Sequence, residues 1–308
     1  MYDVIPDIHG QSAKLKGALA SLGYKLRNGA WRHDNPGRQC IFLGDFIDRG
    51  LDNREVLSIV RNMVDAGTAF AIMGNHELNA IHFHTDNPKT GEALRPKSEK
   101  NIRQHKAFLE EFPIGETQTA DAIAWMRSLP LYLELDGFRA VHACWDETKI
   151  ERLRGLSNLG VLSEDQIIRA ADERDPLFNL VETTTKGPEA PLPPGYSIKD
   201  KEGSHRTEIR LQWWNSSAKT WPDIAISVPD LRDLPQEELP SSISGSVYPE
   251  IAIPVFFGHY WLDGTPAFQA PNALCLDYSA GTVGPLVTYH MDGQPGPLSL
   301  EKITVHEN

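Results

Sequence analysis

Residues 40–50, CIFLGDFIDRG, join an apolar run to a glycine-bounded turn that carries two carboxylates and one arginine. The apolar run predicts a buried β-strand that ends at Gly44. Asp45, Asp48 and Arg49 then follow the carboxyl end of the strand, which is where open α/β sheets bind their ligands. The segment therefore predicts both a strand of an α/β sheet and part of a functional site at the edge of that sheet.

Other segments repeat this arrangement of an apolar strand followed by polar residues. YDVIP precedes DIHG at 7–10, AFAIM precedes GNHE at 74–77, and IPVFF precedes GH at 258–259. A further strand, FRAV, is followed by His142. The Asp and the His of DIHG are two residues apart, so in extended backbone both side chains project to the same face. We expect all of these polar side chains to converge on one crevice.

Segments with helical periodicity lie between the strands, at 12–23, 53–67, 98–111 and 117–129. This alternation favours an α/β (α+β) fold in which sheets are flanked by helices. We interpret 1–308 as a single domain with an insert at about 150–250 that shapes the substrate cleft. The insert is predicted to contain helices, a Pro-rich loop that starts near 183, and a hairpin that turns near Gly203.

The composition excludes several classes of protein. The chain has 308 residues, and its 30 Lys and Arg against 42 Asp and Glu give a formal net charge of -12. This balance argues against a nucleic-acid binder, which needs a basic face, but not against a small anionic substrate, because bound metal ions reverse the charge locally. No apolar run reaches the ~18 residues of a membrane span, and the N-terminus lacks the features of a signal peptide. Cys40, Cys144 and Cys275 lie in apolar runs, which predicts buried free thiols and a cytoplasmic protein.

The candidate site contains three carboxylates, one amide and four imidazoles: Asp7, Asp45, Asp48, Asn75, His9, His76, His142 and His259. Mixed oxygen and nitrogen ligands suit Mn, Fe or Zn, and the lack of thiolates argues against a structural zinc site. The set is large enough for two metal ions bridged by the central Asp45. Such a centre activates a water molecule and stabilises the attacking and leaving oxygens of a displacement at phosphorus. Arg49 offers a planar fork for phosphate oxygens.

In this order, DIHG, GDFIDRG and GNHE resemble the signature of the PPP-type calcineurin-like metallophosphoesterases, which include serine/threonine protein phosphatases and symmetrical diadenosine tetraphosphate hydrolases. The resemblance covers about 1–145 and 250–290. It implies a four-layer fold in which two mixed β-sheets form a sandwich flanked by helices. It also implies six metal ligands: Asp7, His9 and His259 for the first ion, Asn75 and His142 for the second, and Asp45 for both.

The resemblance further implies hydrolysis of a phosphomonoester by direct attack of a hydroxide that bridges the two metal ions. Arg49 would clamp the phosphate, and His76, oriented by Asp48, would protonate the leaving oxygen. The family's second phosphate-binding arginine has two candidates here, Arg206 and Arg210, on the predicted hairpin.

On this resemblance, the leading function is that of a serine/threonine protein phosphatase with a phosphoprotein substrate. The alternative is a hydrolase of dinucleoside polyphosphates or other nucleotides, for which Trp213, Trp214 and Trp221 offer a base-stacking wall, although we expect these rings to pack the insert. A third alternative, an inactive metal-binding scaffold, is disfavoured because no candidate ligand or catalytic residue is missing. Five further histidines, His105 among them, lack a partner motif and are expected at the surface, and IHFHTD at 81–86 is expected to form a loop.

Overall fold

The computed structural model describes residues 1–199, 205–244, 247–292 and 296–306. Within them, the α-helices are α1 Ser12–Ser21, α2 Asn53–Asp65, α3 Asn75–Phe83, α4 Glu99–Gln104, α5 Lys106–Glu111, α6 Thr117–Arg127, α7 Glu147–Leu156, α8 Glu164–Arg169, α9 Pro176–Lys186, α10 Trp221–Ile224 and α11 Ser241–Ser244. Among the described helices, none has the length and apolar character needed to cross a membrane.

The strands in the same residues are β1 Tyr2–Ile5, β2 Tyr24–Arg27, β3 Ala30–His33, β4 Gln39–Phe42, β5 Ala69–Ala71, β6 Tyr132–Leu135, β7 Phe138–Val141, β8 Glu189–Pro191, β9 Ile198–Lys199, β10 His205–Arg206, β11 Glu208–Leu211, β12 Ala225–Ile226, β13 Val255–Phe257, β14 Ala273–Cys275, β15 Leu286–Met291 and β16 Ile303–His306. Short 3-10 turns lie at Leu231–Asp233 and Leu300–Lys302.

Two mixed sheets form the centre of the molecule. The first has the strand order β16-β15-β1-β4-β5, in which β1, β4 and β5 are parallel and β15 runs antiparallel to both of its neighbours, β1 and β16. The second has the order β14-β13-β7-β6, in which β13 runs parallel to both β14 and β7 while β6 is antiparallel to β7. The predicted strand pair is the β6–β7 hairpin.

Side chains alternate between the two faces of the central strands. In β1, Val4 belongs to the core between the sheets, whereas its neighbour Ile5 packs with the helices. In β4, Ile41 and Phe42 divide in the same way. Burial of each such apolar side chain contributes about 1.5–3 kcal/mol to stability. A shift of the pairing by one residue would turn these side chains to the opposite face, so the alternation fixes the register of the strands.

The second sheet supplies the other half of the inner core. Phe138, Phe256 and Leu274 pack with the inward-facing residues of the first sheet. Helices α1 and α2 cover an outer face with buried residues at helical spacing, among them Leu15 and Val56. The predicted sandwich of two mixed sheets flanked by helices is confirmed.

The insert has a small sheet and a core of its own. Its strands have the order β12-β11-β8, and Trp221 is buried there with Ile209 and Leu211. Trp213 and Trp214 are also buried, but in the main core against Phe257. The expectation that the three tryptophans pack the insert holds for Trp221, whereas Trp213 and Trp214 are buried in the main core.

Local structure differs from the sequence prediction at two helices. The residues of GNHE begin α3, which continues to Phe83, so the start of the expected loop at 81–86 is helical. The cause is Glu77, whose carboxylate accepts a hydrogen bond from the backbone N–H of Gly74 and caps the helix. Helix α9 runs to Lys186, three residues beyond the predicted start of the Pro-rich loop at 183. The predicted turn near Gly203 lies outside the described residues.

Candidate active site

The ends of five strands carry the predicted metal ligands to one edge of the sandwich. Asp7 and His9 follow β1, Asp45 follows β4, and Asn75 begins the helix after β5. From the second sheet, His142 follows β7 and His259 follows β13. All six are buried. The structure thus brings the predicted ligands together, although they are spread over more than 250 residues of sequence.

One group of ligand atoms lies around Asn75. The Oδ1 atom of Asn75 is 3.1 Å from His142 Nε2 and 2.8 Å from His259 Nδ1. His142 Nε2 is 3.4 Å from Asp45 Oδ1. The ligand atoms of Asp45, His142 and His259 lie within 4.8 Å of one another, which is compact enough for one metal ion.

A second group shares Asp45 with the first. His9 Nε2 is 3.5 Å from Asp45 Oδ2, and His76 Nε2 is 4.0 Å from the same oxygen. His76 is not a predicted ligand, although its Nε2 lies within 4.8 Å of the ligand atoms of His9 and Asp45. Because Asp45 offers one oxygen to each group, it occupies the position of a bridging ligand.

His259 differs from its predicted position. The family resemblance implied that it binds the first ion with Asp7 and His9, but its ring lies with Asn75 and His142. The reason is the topology, because β13 pairs with β7 and places His259 beside His142. Its contact with Asp7 comes from the backbone N–H, which is 3.1 Å from Asp7 Oδ1.

The donor set fits metal ions. His9 Nε2 and His259 Nε2 are buried and have no hydrogen-bond partner among the described residues. Burial is the largest cause that lowers the pKa of His9 to about 3, so its lone pair is free at neutral pH. Burial lowers the pKa of His142, but the charge and hydrogen bond of Asp45, the charge of Asp7 and the bond to Leu43 together raise it to about 10, which shows that the cluster attracts positive charge.

Asp7 supports the same conclusion. Burial, followed by the charge of Asp277, raises the pKa of Asp7 well above its ordinary value. A buried carboxylate in this environment needs a cation to be ionised near neutral pH. Two divalent ions would supply it, and the residues present can hold them.

A hydrogen-bonded pair lies beside the metal ligands. His76 Nδ1 is 2.6 Å from Asp48 Oδ2. Burial alone would lower the pKa of His76, but the charges of Asp45 and Asp48 and the hydrogen bond to Asp48 raise it. Because Asp48 holds the ring through Nδ1, Nε2 is left to face a substrate, which is the arrangement that a general acid requires.

The predicted phosphate-binding arginines have different surroundings. The Arg49 guanidinium lies 4.0 Å above the ring of Trp261, and that ring is 5.6 Å from the ring of His9. Arg210 pairs with Glu189 at 3.5 Å, and after burial its charge is the next cause that lowers the pKa of His259. Arg206 is exposed on β10.

Several residues of the site have no signal in the sequence. His105, expected at the surface, is buried and bonds Asp48 Oδ1 at 2.9 Å, so that expectation is wrong. Asp277 accepts a hydrogen bond from the backbone N–H of Trp261 at 2.8 Å and contributes to the raised pKa of Asp7. These contacts join residues far apart in sequence, so no local pattern reveals them.

Comparisons with known proteins agree with this geometry. Residues 2–189, more than half of the chain, match the family model for calcineurin-like phosphoesterases. The chain is similar to the bis(5'-nucleosyl)-tetraphosphatase PrpE [asymmetrical] of Oceanobacillus iheyensis, with 42% identity over 74 residues that cover 24% of this chain and 29% of that protein. For the protein of the same name from Bacillus subtilis, the identity is 34% over 87 residues, which cover 28% and 35%.

The alignments span only about a third of these curated relatives. Among solved structures, a cold-active protein tyrosine phosphatase superposes with a TM-score of 0.50 and 16% identity, over 94% of this chain and 73% of that one. At this level of identity, the likeness concerns the fold.

Proposed function

The chain belongs to the calcineurin-like phosphoesterase family, a family of binuclear metal hydrolases, and we propose that its substrates are dinucleoside polyphosphates. The proposed reaction is hydrolysis of a phosphoanhydride bond within the polyphosphate chain. The names of the curated relatives support this alternative better than the serine/threonine protein phosphatase that the motifs first suggested.

Support for the proposal comes from two arginines, Arg49 and Arg210, whose charges act on different groups of the ligand cluster in an acidic chain. Arg49 lies beside His9, and its charge acts in the same direction as burial to lower the pKa of that ring. Arg210 acts on His259, at the opposite group of ligands. A substrate with several linked phosphates can use both guanidinium groups, whereas a single phosphomonoester needs one.

The protein's own groups perform defined parts of the proposed reaction. Arg49 donates hydrogen bonds to the phosphoryl group under attack, and Arg210 binds a neighbouring phosphate. His76, held by Asp48 through Nδ1, uses Nε2–H to stabilise the charge that develops on the leaving oxygen.

The backbone around the bridging ligand is fixed. The carboxylate of Glu77 accepts hydrogen bonds from the backbone N–H groups of Asp45 and Phe46, both at 2.8 Å. When bound by the six ligands, two metal ions would polarise the phosphoryl oxygens and lower the pKa of a water molecule.

The test uses the purified protein with Mn²⁺ and three substrates: diadenosine tetraphosphate, a phosphoserine peptide and p-nitrophenyl phosphate. We expect the tetraphosphate to be converted to ATP and AMP, or to two ADP, with the highest kcat/KM of the three. Turnover of the phosphopeptide alone would favour a protein phosphatase, and no turnover by the metal-loaded protein would favour an inactive scaffold. An Asp45→Asn variant controls for contaminating activity.

We propose in addition that the insert at about 150–250 selects the substrate. The indole N–H of Trp213 donates to the backbone carbonyl of Ala143 at 2.9 Å and to the hydroxyl of Tyr260 at 3.1 Å. The insert is therefore joined to the residues that follow His142 and His259.

Arg210 and Arg206 provide a matched pair of variants for this proposal. Arg210→Ala should raise KM for diadenosine tetraphosphate about tenfold while KM for p-nitrophenyl phosphate stays within about twofold. Arg206→Ala, at an exposed position of β10, should change neither value. Equal effects of the two substitutions would contradict the assignment of Arg210.

A further inference from the structure

A second imidazole, that of His105, contacts the pair formed by His76 and Asp48. His76 Nδ1 lies 2.6 Å from one oxygen of Asp48, and His105 Nδ1 lies 2.9 Å from the other. All three side chains are largely buried, with exposed fractions of 14% for His76, 4% for Asp48 and 7% for His105. His105 lies outside every motif that the sequence resemblance uses.

The orientation of His105 is fixed from several directions. The residue sits at the junction between α4 and α5. Its ring stacks on Phe108 with centroids 4.7 Å apart and an interplanar angle of 16°, and it meets Phe83 edge-on at 5.2 Å. Its Nε2 lies 3.3 Å from His84 Nε2. The ring thus has little freedom to turn away from Asp48.

Proton positions follow from the partners. An ionised carboxylate only accepts hydrogen bonds, so His76 and His105 each present an N–H to Asp48 through Nδ1. The two hydrogen bonds outweigh burial and lower the pKa of Asp48, which keeps it ionised. Each oxygen of Asp48 is therefore held by one imidazole.

Aromatic packing alone does not account for a histidine at this position. A leucine or phenylalanine at 105 would fill the space beside Phe108, but it would leave Asp48 Oδ1 buried without that donor. A buried charged oxygen that loses its partner is costly, so the carboxylate would rotate toward another donor. Rotation of Asp48 would also move the His76 ring that it holds.

We propose that His105 is a positioning residue for the reaction, which acts through Asp48 to keep Nε2 of His76 directed at the leaving oxygen. The inference rests on the proposed role of His76 but not on the identity of the nucleotide substrate. It adds to the family motifs a residue 57 positions away from Asp48 in the sequence.

The test compares aryl phosphates whose leaving groups differ in basicity, with the full chain and Mn²⁺. General-acid assistance matters for a poor leaving group such as phenol and little for 2,4-dinitrophenol. We expect His105→Leu to lower kcat for phenyl phosphate about tenfold or more, with little change for 2,4-dinitrophenyl phosphate and an unchanged KM. His105→Asn, which keeps an N–H near the position of Nδ1, should restore most of the loss.

His82→Leu is the matched control, because His82 is another buried histidine and bonds the backbone carbonyl of Ile167 at 3.1 Å, with no contact to Asp48 among its hydrogen bonds in the described residues. This variant should not change the dependence on the leaving group. An equal loss for both aryl phosphates in His105→Leu, or no loss for either, would overturn the proposal.

A spectroscopic measurement tests the same inference without turnover. The Nδ1–H proton of His76 in its short bond to Asp48 should give a downfield NMR signal, assigned by its loss in His76→Asn. We expect the signal to persist in His105→Asn and to shift or broaden in His105→Leu. An unchanged signal in His105→Leu would contradict the proposal, whatever the outcome with diadenosine tetraphosphate.

Discussion

Two imidazoles of the site are oriented by backbone carbonyl groups. His9 Nδ1 donates to the carbonyl of Ile47 at 2.9 Å, and His142 Nδ1 donates to the carbonyl of Leu43 at 2.7 Å. In each ring this bond fixes the orientation and directs Nε2 at the ligand cluster. Both carbonyls belong to the segment that also contains Asp45, so one turn holds ligands from three parts of the chain.

A substitution of His76 is expected to affect turnover without affecting metal binding. Its Nδ1 bonds Asp48, and the role that we propose for it is proton donation, so His76→Asn should leave the metal content unchanged. The kcat for phenyl phosphate should fall by about 10²- to 10⁴-fold. Elemental analysis and steady-state kinetics on the same preparation measure both quantities. Undiminished turnover would refute the assigned role.

The protonation of the buried His82 links the stability of the protein to pH. Burial lowers the pKa of His82 from its ordinary 6.5 to about 4, so the folded state holds the ring neutral. The stability that depends on this ring is fully present above about pH 6.5 and is lost as the pH falls toward about 4. The difference corresponds to about 3 kcal/mol of unfolding free energy.

His82→Gln keeps an N–H donor for Ile167 and does not ionise. Denaturant unfolding at pH 7 and pH 4 should therefore show about 3 kcal/mol less destabilisation by acid in the variant than in the unchanged protein. The same acid destabilisation in both proteins would show that His82 does not titrate as proposed.

Single residues of the site could be predicted where a motif surrounds them. The motifs locate Asp7, Asp45 and Asn75 because a strand end, a glycine and a polar residue occur together in the sequence. His105 and Trp261 have no such surroundings, and their contacts depend on how distant elements pack. The assignment of His259 to the first ion was a choice between ligand groups that only the pairing of β13 with β7 decides.

Among the secondary-structure elements, strand β13 is followed by a glycine, Gly258, that lies against the carboxylate of Asp7. A Cβ atom at Gly258 would lie 2.0 Å from Asp7 Oδ2. Gly258→Ala should therefore displace Asp7, lower the free energy of unfolding by about 1–3 kcal/mol and reduce metal binding. Thermal unfolding and elemental analysis check the two effects.

Gly17 in α1 provides the matched substitution. A Cβ atom there meets nothing within 4 Å, and the position is helical. Gly17→Ala should raise stability by about 0.5–1 kcal/mol and leave metal binding unchanged. Equal behaviour of the two variants would contradict the close contact between Gly258 and Asp7.

Strands and amphipathic helices are the elements that the sequence predicts well. The apolar run before GDFIDRG becomes β4, and the periodic segment at 53–67 becomes α2. Helix α3 was missed because its first turn consists of motif residues, and its cap depends on a side chain, Glu77, that the pattern of apolar residues does not reveal. Helix α9 extends into residues whose composition suggested a loop.

For the molecule as a whole, buried negative charge links metal binding to stability. Asp7, Asp45 and Asp277 are all buried near one another in a chain of net charge -12. Metal ions that bind only the folded state stabilise it, by about 2.7 kcal/mol at a free concentration of 100 times Kd. A chelator should therefore lower the Tm, and added Mn²⁺ should restore it.

Asp45→Asn, which removes the charge of the proposed bridging ligand, is the control for this effect. Its Tm should respond much less to the chelator and to Mn²⁺. If the unchanged protein and the variant responded alike, the ions would be acting elsewhere on the surface.

The proposed chemistry depends on two metal ions, one bound by the group with His9 and the other by the group with His142 and His259, with Asp45 bound to both. Anomalous diffraction from crystals of the protein loaded with Mn²⁺ measures this directly. We expect two anomalous peaks at this edge of the sandwich, with one oxygen of Asp45 directed at each. A map with no peak among these residues, or with peaks that Asp45 does not contact, would contradict it.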